Sequence, residues 1–288
     1  MTAPVLRVDK LVKAFGGVEA VRDVSFNIAA GELVALIGPN GAGKTTCFNL
    51  VNGQLRPDAG TVTLMGTRID GLPSRTVSRM GVGRTFQVAA LFASMTVREN
   101  VQLALLAHGG KHRRIDARAT DCLKPQADAL LERVRMAEFA EQGCATLAYG
   151  NAKRVELALA LAAAPKLLLM DEPTAGMSPR SRGRLMALAA SLAREQQIAV
   201  LFTEHDMDVV FGHADRIIVL DRGRVIAEGT PEAIRANAEV QAVYLGDERA
   251  KYNALAAPPP SRVINNRHER TGAASTKGGS NSTKGESP

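Results

Sequence analysis

Two stretches of the chain carry the residue types that phosphate chemistry requires. Gly38, Pro39, Asn40, Gly41, Ala42, Gly43, Lys44 and Thr45 fit the G-x-x-x-x-G-K-[ST] pattern in full, after an apolar run and before a helical run beginning near Thr46. Glycines at this spacing let backbone amides turn inward around phosphate oxygens, and the positive end of the following helix favours the anion. Lys44 is then expected to reach the β- and γ-phosphates, and the Thr45 hydroxyl to bind Mg²⁺. The alternative is a glycine-rich turn that binds nothing; the preceding strand, the spacing, Lys44 and Thr45 all argue against it. Further on, Leu167–Met170 reads as an apolar strand ending in Asp171 and Glu172. A strand buried on both faces would deliver these carboxylates to the sheet edge, where ligands gather in doubly wound folds. Asp171 is expected to organise the Mg²⁺ shell, and Glu172 to polarise an attacking water as general base. Acidic residues at a strand end are ordinarily turn formers; a phosphate loop in the same chain argues for more.

The elements that must position these groups follow from the spacing of apolar residues. Leu33–Ile37, Leu167–Met170 and Ile198–Thr203 read as buried strands set before glycine turns and helical patterns, the rhythm of a parallel sheet covered by helices. Shorter alternating strands, near Leu6–Asp9, Ser25–Ala29, Thr61–Met65 and Arg216–Ala227 with a turn at Asp221, Arg222 and Gly223, predict an antiparallel layer beside it. Between Val97 and Ala164 strand signals nearly vanish and Ala, Leu, Arg and Glu dominate, which predicts a helical subdomain, about residues 88–164, inserted into the α/β core. Its polar stretch from His108 to Arg118 is expected to be an exposed loop. Thr230 and Pro231 match an N-cap followed by a first-turn proline. The expected division is a domain over residues 1–250 and a disordered C-terminal tail over 251–288. In that tail Pro258, Pro259 and Pro260 lead into a segment rich in Ser, Thr, Gly, Lys and Asn, with too little apolar area to offset its chain entropy.

Composition narrows the class. A length of 288 residues with 45% hydrophobic content is enough to bury a large core. No apolar run approaches the roughly 20 residues needed to cross a bilayer, and the longest candidate, Leu157–Met170, is interrupted by Pro165 and Lys166. Residues 1–10 lack the charged start, apolar stretch and cleavage site of an export signal, so the expected location is cytoplasmic. Cys47, Cys122 and Cys144 are odd in number and widely spaced, as ordinary reduced thiols are. Of the net charge of +7, +4 falls in residues 251–288, a weak basis for a nucleic-acid footprint.

Many phosphate-loop enzymes share the two acidic and basic elements, and a third distinguishes among them. Leu147, Ala148, Tyr149, Gly150 and Asn151, followed by Lys153, Arg154 and a helical run to Ala164, resemble the signature motif of ABC ATPases and lie just upstream of the Asp171 strand, as in that family. The phrases Phe15-Gly16-Gly17, Arg84-Thr85-Phe86-Gln87 and Glu204-His205-Asp206-Met207 bring the resemblance closest to the ATPase subunits of branched-chain amino acid importers. The resemblance implies a P-loop α/β fold of the ABC type, with a parallel core sheet, a flanking antiparallel layer and an inserted helical subdomain. It implies ATP and Mg²⁺ as ligands and two subunits packed head to tail, each ATP lying between one phosphate loop and the partner's signature. Residue by residue, it implies that Phe15 stacks on adenine, that Gln87 joins the Mg²⁺ and water site to the membrane-facing helices, and that His205 contacts the γ-phosphate and holds Glu172. Two departures stand out. Ala148 replaces the usual signature serine, removing a hydroxyl whose charge-assisted bond contributes about 1.5 to 3 kcal/mol. Ser178 stands where many relatives carry an aspartate that couples the two sites.

The resemblance further implies a peripheral location on the inner face of the cell membrane. It gives as partners two polytopic permease subunits, a second ABC ATPase or a second copy, and indirectly a periplasmic solute-binding protein. Leu91, Phe92, Met95, Thr96, Val97, Glu99 and Asn100 lie where relatives meet the permease; plain subdomain packing is the alternative reading of that stretch. An ABC ATPase acting on nucleic acid or ribosomes is the competing class, but such proteins usually carry two ATPase halves or a long coiled coil, and this chain has one phosphate loop and no sustained heptads. A nucleotide kinase or GTPase is the third; the guanine-reading Asn-Lys-x-Asp pattern is absent. Because residues 254–288 carry no packing signal, deleting them is expected to leave ATPase activity intact. A steady-state assay on the truncated protein checks this, and a large loss of folded, active protein refutes it.

Overall fold

The computed structural model describes residues 3–85, 91–108 and 117–244, with backbone only for 117–122. The expected tail over 251–288, and most of the expected loop between His108 and Arg118, lie outside the described residues.

The core is a six-stranded sheet in the order β10-β9-β3-β8-β7-β6. Its strands are β3 (Leu33–Ile37), β6 (Val82–Thr85), β7 (Leu167–Asp171), β8 (Ala199–Thr203), β9 (Arg216–Asp221) and β10 (Arg224–Gly229). All pair in parallel except β10, which turns back antiparallel on β9. Parallel strands must be apolar on both faces, and alternate residues here enter different cores. Leu33, Ala35, Ile37, Leu168, Met170, Val200 and Phe202 pack on one side, whereas Val34, Leu36, Leu167, Leu169, Ala199 and Leu201 pack on the other.

The second core also receives a four-stranded antiparallel sheet in the order β2-β1-β4-β5, built from β1 (Leu6–Phe15), β2 (Val18–Ile28), β4 (Ala59–Leu64) and β5 (Thr67–Arg68). Helix α1 (Lys44–Val51) joins it there through Cys47, Phe48, Leu50 and Val51. The expected antiparallel layer is therefore present, with one correction. The hairpin over Arg216–Ala227 extends the main sheet instead, because Val34–Ile37 of β3 pair with Arg216–Val219.

The other face of the main sheet is covered by α3 (Val97–His108), α4 (Ala117–Arg133), α5 (Tyr149–Leu161), α6 (Pro179–Gln196) and α7 (Met207–His213). The small helices α2 (Ser74–Arg79) and α8 (Pro231–Ala236) complete the set. A capping box opens α3: the Thr96 amide donates to Glu99 Oε2 at 2.7 Å and the Glu99 amide to Thr96 Oγ1 at 3.2 Å. Thr230 caps α8 by accepting from the Ala233 amide at 3.4 Å, with Pro231 in the first turn.

Candidate functional site

The phosphate loop runs from the end of β3 to the start of α1, and its shape is fixed by close contacts. A Cβ on Gly38 would lie 2.2 Å from the Leu220 carbonyl oxygen, and one on Gly43, whose φ is +103°, would lie 2.4 Å from the Ala20 carbonyl oxygen. Neither position admits a side chain. Gly41, at φ +79°, faces open space, so its backbone is accessible to a ligand. The loop is tied down by the Ala42 amide donating to Pro39 O at 3.1 Å and the Gly223 amide donating to Ala42 O at 3.0 Å. Lys44 is buried and donates through Nζ to Gly38 O at 2.6 Å and Pro39 O at 3.0 Å. Burial lowers its pKa, while the charges of Glu172 and Asp171 pull the other way. Asn40 and Thr45 are exposed and Thr46 is half-buried.

The acidic pair sits at the end of β7, and the neighbouring end of β8 grips it. Asp171 is in register with Thr203, whose hydroxyl donates to Asp171 Oδ1 at 2.8 Å. Its Oδ2 accepts from Arg84 of β6 at 3.2 Å. Glu172 adopts φ +46°, a strained backbone for a non-glycine residue, and its amide donates to Thr203 O at 3.1 Å. Its Oε1 lies 2.6 Å from His205 Nε2; a carboxylate only accepts, so Nε2 is the nitrogen that carries the proton. Glu172 can therefore take a proton from a water while His205 holds its carboxylate in place.

Between Thr203 and His205 stands Glu204, the first residue of the phrase Glu204-His205-Asp206-Met207. It is 4% exposed and accepts from the Thr174 amide at 2.8 Å. Burial raises its pKa, hydrogen bonds from Thr174 and the His205 amide oppose this, and the Glu172 charge adds to the rise. The unfolded chain ionises Glu204 at the ordinary carboxylate value, and the folded chain only at higher pH. Above that window the charged carboxyl therefore costs stability, and below it the cost vanishes. Glu204→Gln keeps the acceptor for Thr174, so its Tm is expected to exceed the parent's at pH 8 by about 1 to 4 °C, the gain shrinking toward pH 5. Thermal unfolding across that range checks the trend; a gain that grows on acidification contradicts it.

The predicted signature residues occupy the start of α5. Ala148, in extended conformation, is the N-cap and supplies no side-chain cap, as an alanine must. Ala148 and Tyr149 are exposed, and Leu147, Gly150 and Asn151 partly so. Gly150 faces Met177, and the Tyr149 ring lies beside Gly176, so the turn rests against the loop that follows Glu172. Among the described residues no hydrogen bond joins residues 147–151 to residues 38–46.

Phe15 ends β1, is 48% exposed, and has Lys13 Nζ 5.5 Å from its ring centre. It pairs with Val18, and two residues further along β2 the Ala20 carbonyl meets Gly43, which brings this hairpin beside the phosphate loop. Gln87 lies outside the described residues. In the expected permease-facing stretch, Phe92 is exposed, whereas Val97 and Asn100 are buried. Asn100 serves the chain's own packing by donating to Phe92 O and Thr96 O and accepting from the Phe92 amide.

The donor set fits a nucleotide. Open backbone at Gly41, the ammonium of Lys44 and a helix N-terminus converge where phosphates bind in such loops. Among the described residues no cluster of three His, Cys, Asp or Glu could cage a metal alone. Mg²⁺ takes oxygen ligands, usually one or two from the protein and the rest from water and substrate phosphates, and the Thr45 hydroxyl and Asp171 carboxylate are of that kind. Arg84 and Thr203, the partners of Asp171, stand in the sequence only as part of a family phrase and as a strand end, since their contacts come from strand register.

Residues 21–175 match the family profile described as "ABC transporter", and residues 224–250 match one described as "Branched-chain amino acid ATP-binding cassette transporter". The chain is 41% identical over 258 residues to the high-affinity branched-chain amino acid transport ATP-binding protein LivG of Salmonella typhimurium, covering 86% of this chain and 100% of LivG. It is 40% identical over the same shares to BraF, which bears the same description, from Pseudomonas aeruginosa. Among solved structures, MJ1267, an ATP-binding cassette of an ABC transporter in its ADP conformation, matches with a TM-score of 0.75 at 28% identity, covering 85% of this chain and 100% of that one. Among the described residues no helix is long and apolar enough to cross a membrane. The profile match over residues 21–175 and the 41% identity across the whole of LivG establish that the chain belongs to the ABC transporter family, as an ATP-binding and ATP-hydrolysing subunit.

Proposed function

We propose that this chain energises a membrane importer for branched-chain or closely related amino acids, working as one half of a two-site ATPase. The observation that carries the reading is the exposed start of α5, whose N-cap Ala148 supplies no side-chain cap and which rests against the loop after Glu172. Its amides and positive dipole end suit a γ-phosphate presented by a partner subunit. ATP between the two subunits then acts as glue, and hydrolysis removes it. The partner is a second copy or a related ATPase, and Ala148 leaves each such contact one hydroxyl short.

Within each site the amides of residues 38–45 cradle the phosphates, Lys44 exchanges its loop carbonyls for phosphate oxygens, and Phe15 stacks on adenine. Thr45, Asp171 and Gln87 would hold Mg²⁺, which when bound neutralises charge on the phosphate oxygens. Glu172 accepts the proton of the attacking water at its carboxylate, and His205 keeps that carboxylate aimed. The family match supports two polytopic permease subunits as partners, a solute-binding protein acting through them, and a position on the inner face of the cell membrane. The cargo rests on the LivG and BraF likeness and on the profile match over residues 224–250. No nucleic-acid partner is proposed.

Tagged protein drawn from detergent-solubilised membranes is expected to bring two polytopic proteins with it, and deleting its gene to abolish uptake of labelled leucine, isoleucine or valine. ATPase activity stimulated by nucleic acid, with no membrane partner, overturns the transport reading.

A further inference from the structure

The guanidinium of Arg84 sits between the two elements that supply the Mg²⁺ ligands proposed above. Its side chain is only 15% exposed. One terminal nitrogen donates to Asn49 Oδ1 at 3.0 Å and to Gln54 Oε1 at 2.9 Å, and the other donates to Asp171 Oδ2 at 3.2 Å. Asn49 lies four residues after Thr45 on α1, so the two share a helix face, and that face is the one linked through Arg84 to Asp171. Thr203 occupies the other oxygen of Asp171. The carboxylate is thus held from both sides, by a hydroxyl on β8 and by a planar cation anchored to the phosphate-loop helix.

The chemistry of this link differs from core packing. Asn49 and Gln54 are neutral acceptors, so the positive charge is directed at Asp171 alone among these three partners. A guanidinium is planar, is always charged and offers a rigid fork of donors, so it cannot rotate without breaking several of these bonds at once. Beside Arg84 is a cavity of about 320 Å³, whose walls carry Asn52, Gln54, Ser78 and Glu156 among apolar residues such as Leu159 and Ala160. A lysine there would keep the charge but present one compact ammonium in place of the fork, which separates geometry from electrostatics.

We propose that Arg84 is a positioning residue for Asp171, setting the spacing between that carboxylate and the Thr45 helix at which Mg²⁺ is bound. The proposal rests on the reading of Asp171 as the Mg²⁺ carboxylate. Its consequence is specific: loosening the clamp weakens the cation's contribution to nucleotide binding and the chemical step, and leaves nucleotide binding without the cation as it was.

The test compares full-length parent, Arg84→Lys and Asp171→Asn, together with the paired change Asn49→Ala and Gln54→Ala, which releases the anchors while leaving Arg84 in place. Calorimetric titration with a non-hydrolysable ATP analogue, in EDTA and then across Mg²⁺ concentrations, reads the cation separately from turnover. Arg84→Lys is expected to bind the analogue in EDTA within about twofold of the parent but to need about 10- to 100-fold more Mg²⁺, the size of effect seen when partners that orient metal ligands are lost. Because nucleotide affinity without the cation is unchanged, linkage raises KM for the Mg²⁺ complex of ATP by about the same factor, and kcat is expected to fall as well. The paired anchor variant is expected to move in the same direction, which keeps the test decisive should Arg84→Lys unfold. A merely structural Arg84 would lower Tm and the active fraction while leaving the Mg²⁺ midpoint of folded protein unmoved. An unmoved midpoint in both clamp variants, with a shift in Asp171→Asn, overturns the role of Arg84. An unmoved midpoint in Asp171→Asn overturns the reading of Asp171 itself.

Discussion

Glu172→Gln is expected to bind ATP at close to parental affinity and to hydrolyse it about 10²- to 10⁴-fold more slowly, the usual contribution of a positioned base. Glutamine has the same shape, and its amide oxygen still accepts from His205 Nε2, which lies 2.6 Å from the carboxylate in the parent. The amide bond to Thr203 O belongs to the backbone and is untouched. What disappears is the capacity to accept a proton from the attacking water. With ATP left uncleaved, the subunits stay clamped, so size-exclusion chromatography with ATP and Mg²⁺ should show a lasting dimer that the parent forms only in passing. Normal steady-state turnover by the variant would remove Glu172 from the role of base.

Lys44→Ala is expected to weaken ATP binding by about 10² to 10³-fold, in line with truncating one partner of a desolvated charge pair. The folded protein already holds this ammonium out of water, against the Gly38 and Pro39 carbonyls and near Asp171 and Glu172, so little ordering remains when phosphates arrive. Alanine leaves the glycine-dictated loop in place, and Tm should change far less than affinity. Titration with labelled ATP measures the loss; affinity within a few-fold of the parent would show that the loop amides bind the phosphates without Lys44.

The sequence was most legible where burial is complete. Leu33–Ile37, Leu167–Asp171 and Ala199–Thr203 stand within a residue of their expected limits, because a parallel strand covered on both faces is an unbroken apolar run between polar turns. Arg216–Gly229 was legible as a hairpin but not as part of the main sheet, since alternation records burial and says nothing of which neighbour supplies it. Val82–Thr85 was invisible as a strand because Gly83 and Arg84 interrupt its apolar pattern. The site divides in the same way. The phosphate loop is announced by glycines, Lys44 and Thr45 in one contiguous stretch, and Asp171 and Glu172 by the strand they end. Arg84, Thr203 and Glu204 act across 30 to 87 residues of chain, through register that appears only once the sheet is assembled. Residues 147–151 stand out only through family resemblance, since a small-residue turn before a helix carries little chemistry of its own.

The obstacles facing Gly38 and Gly43 are main-chain carbonyls, those of Leu220 and Ala20. Peptide oxygens are the same whatever amino acid bears them, so the mould leaves the side chains of Leu220 and Ala20 to answer to other demands, core packing in the case of the fully buried Leu220. The constraint is therefore one of backbone on backbone: at the two glycines even a single methyl group must displace a strand, whichever apolar side chain that strand carries into the core.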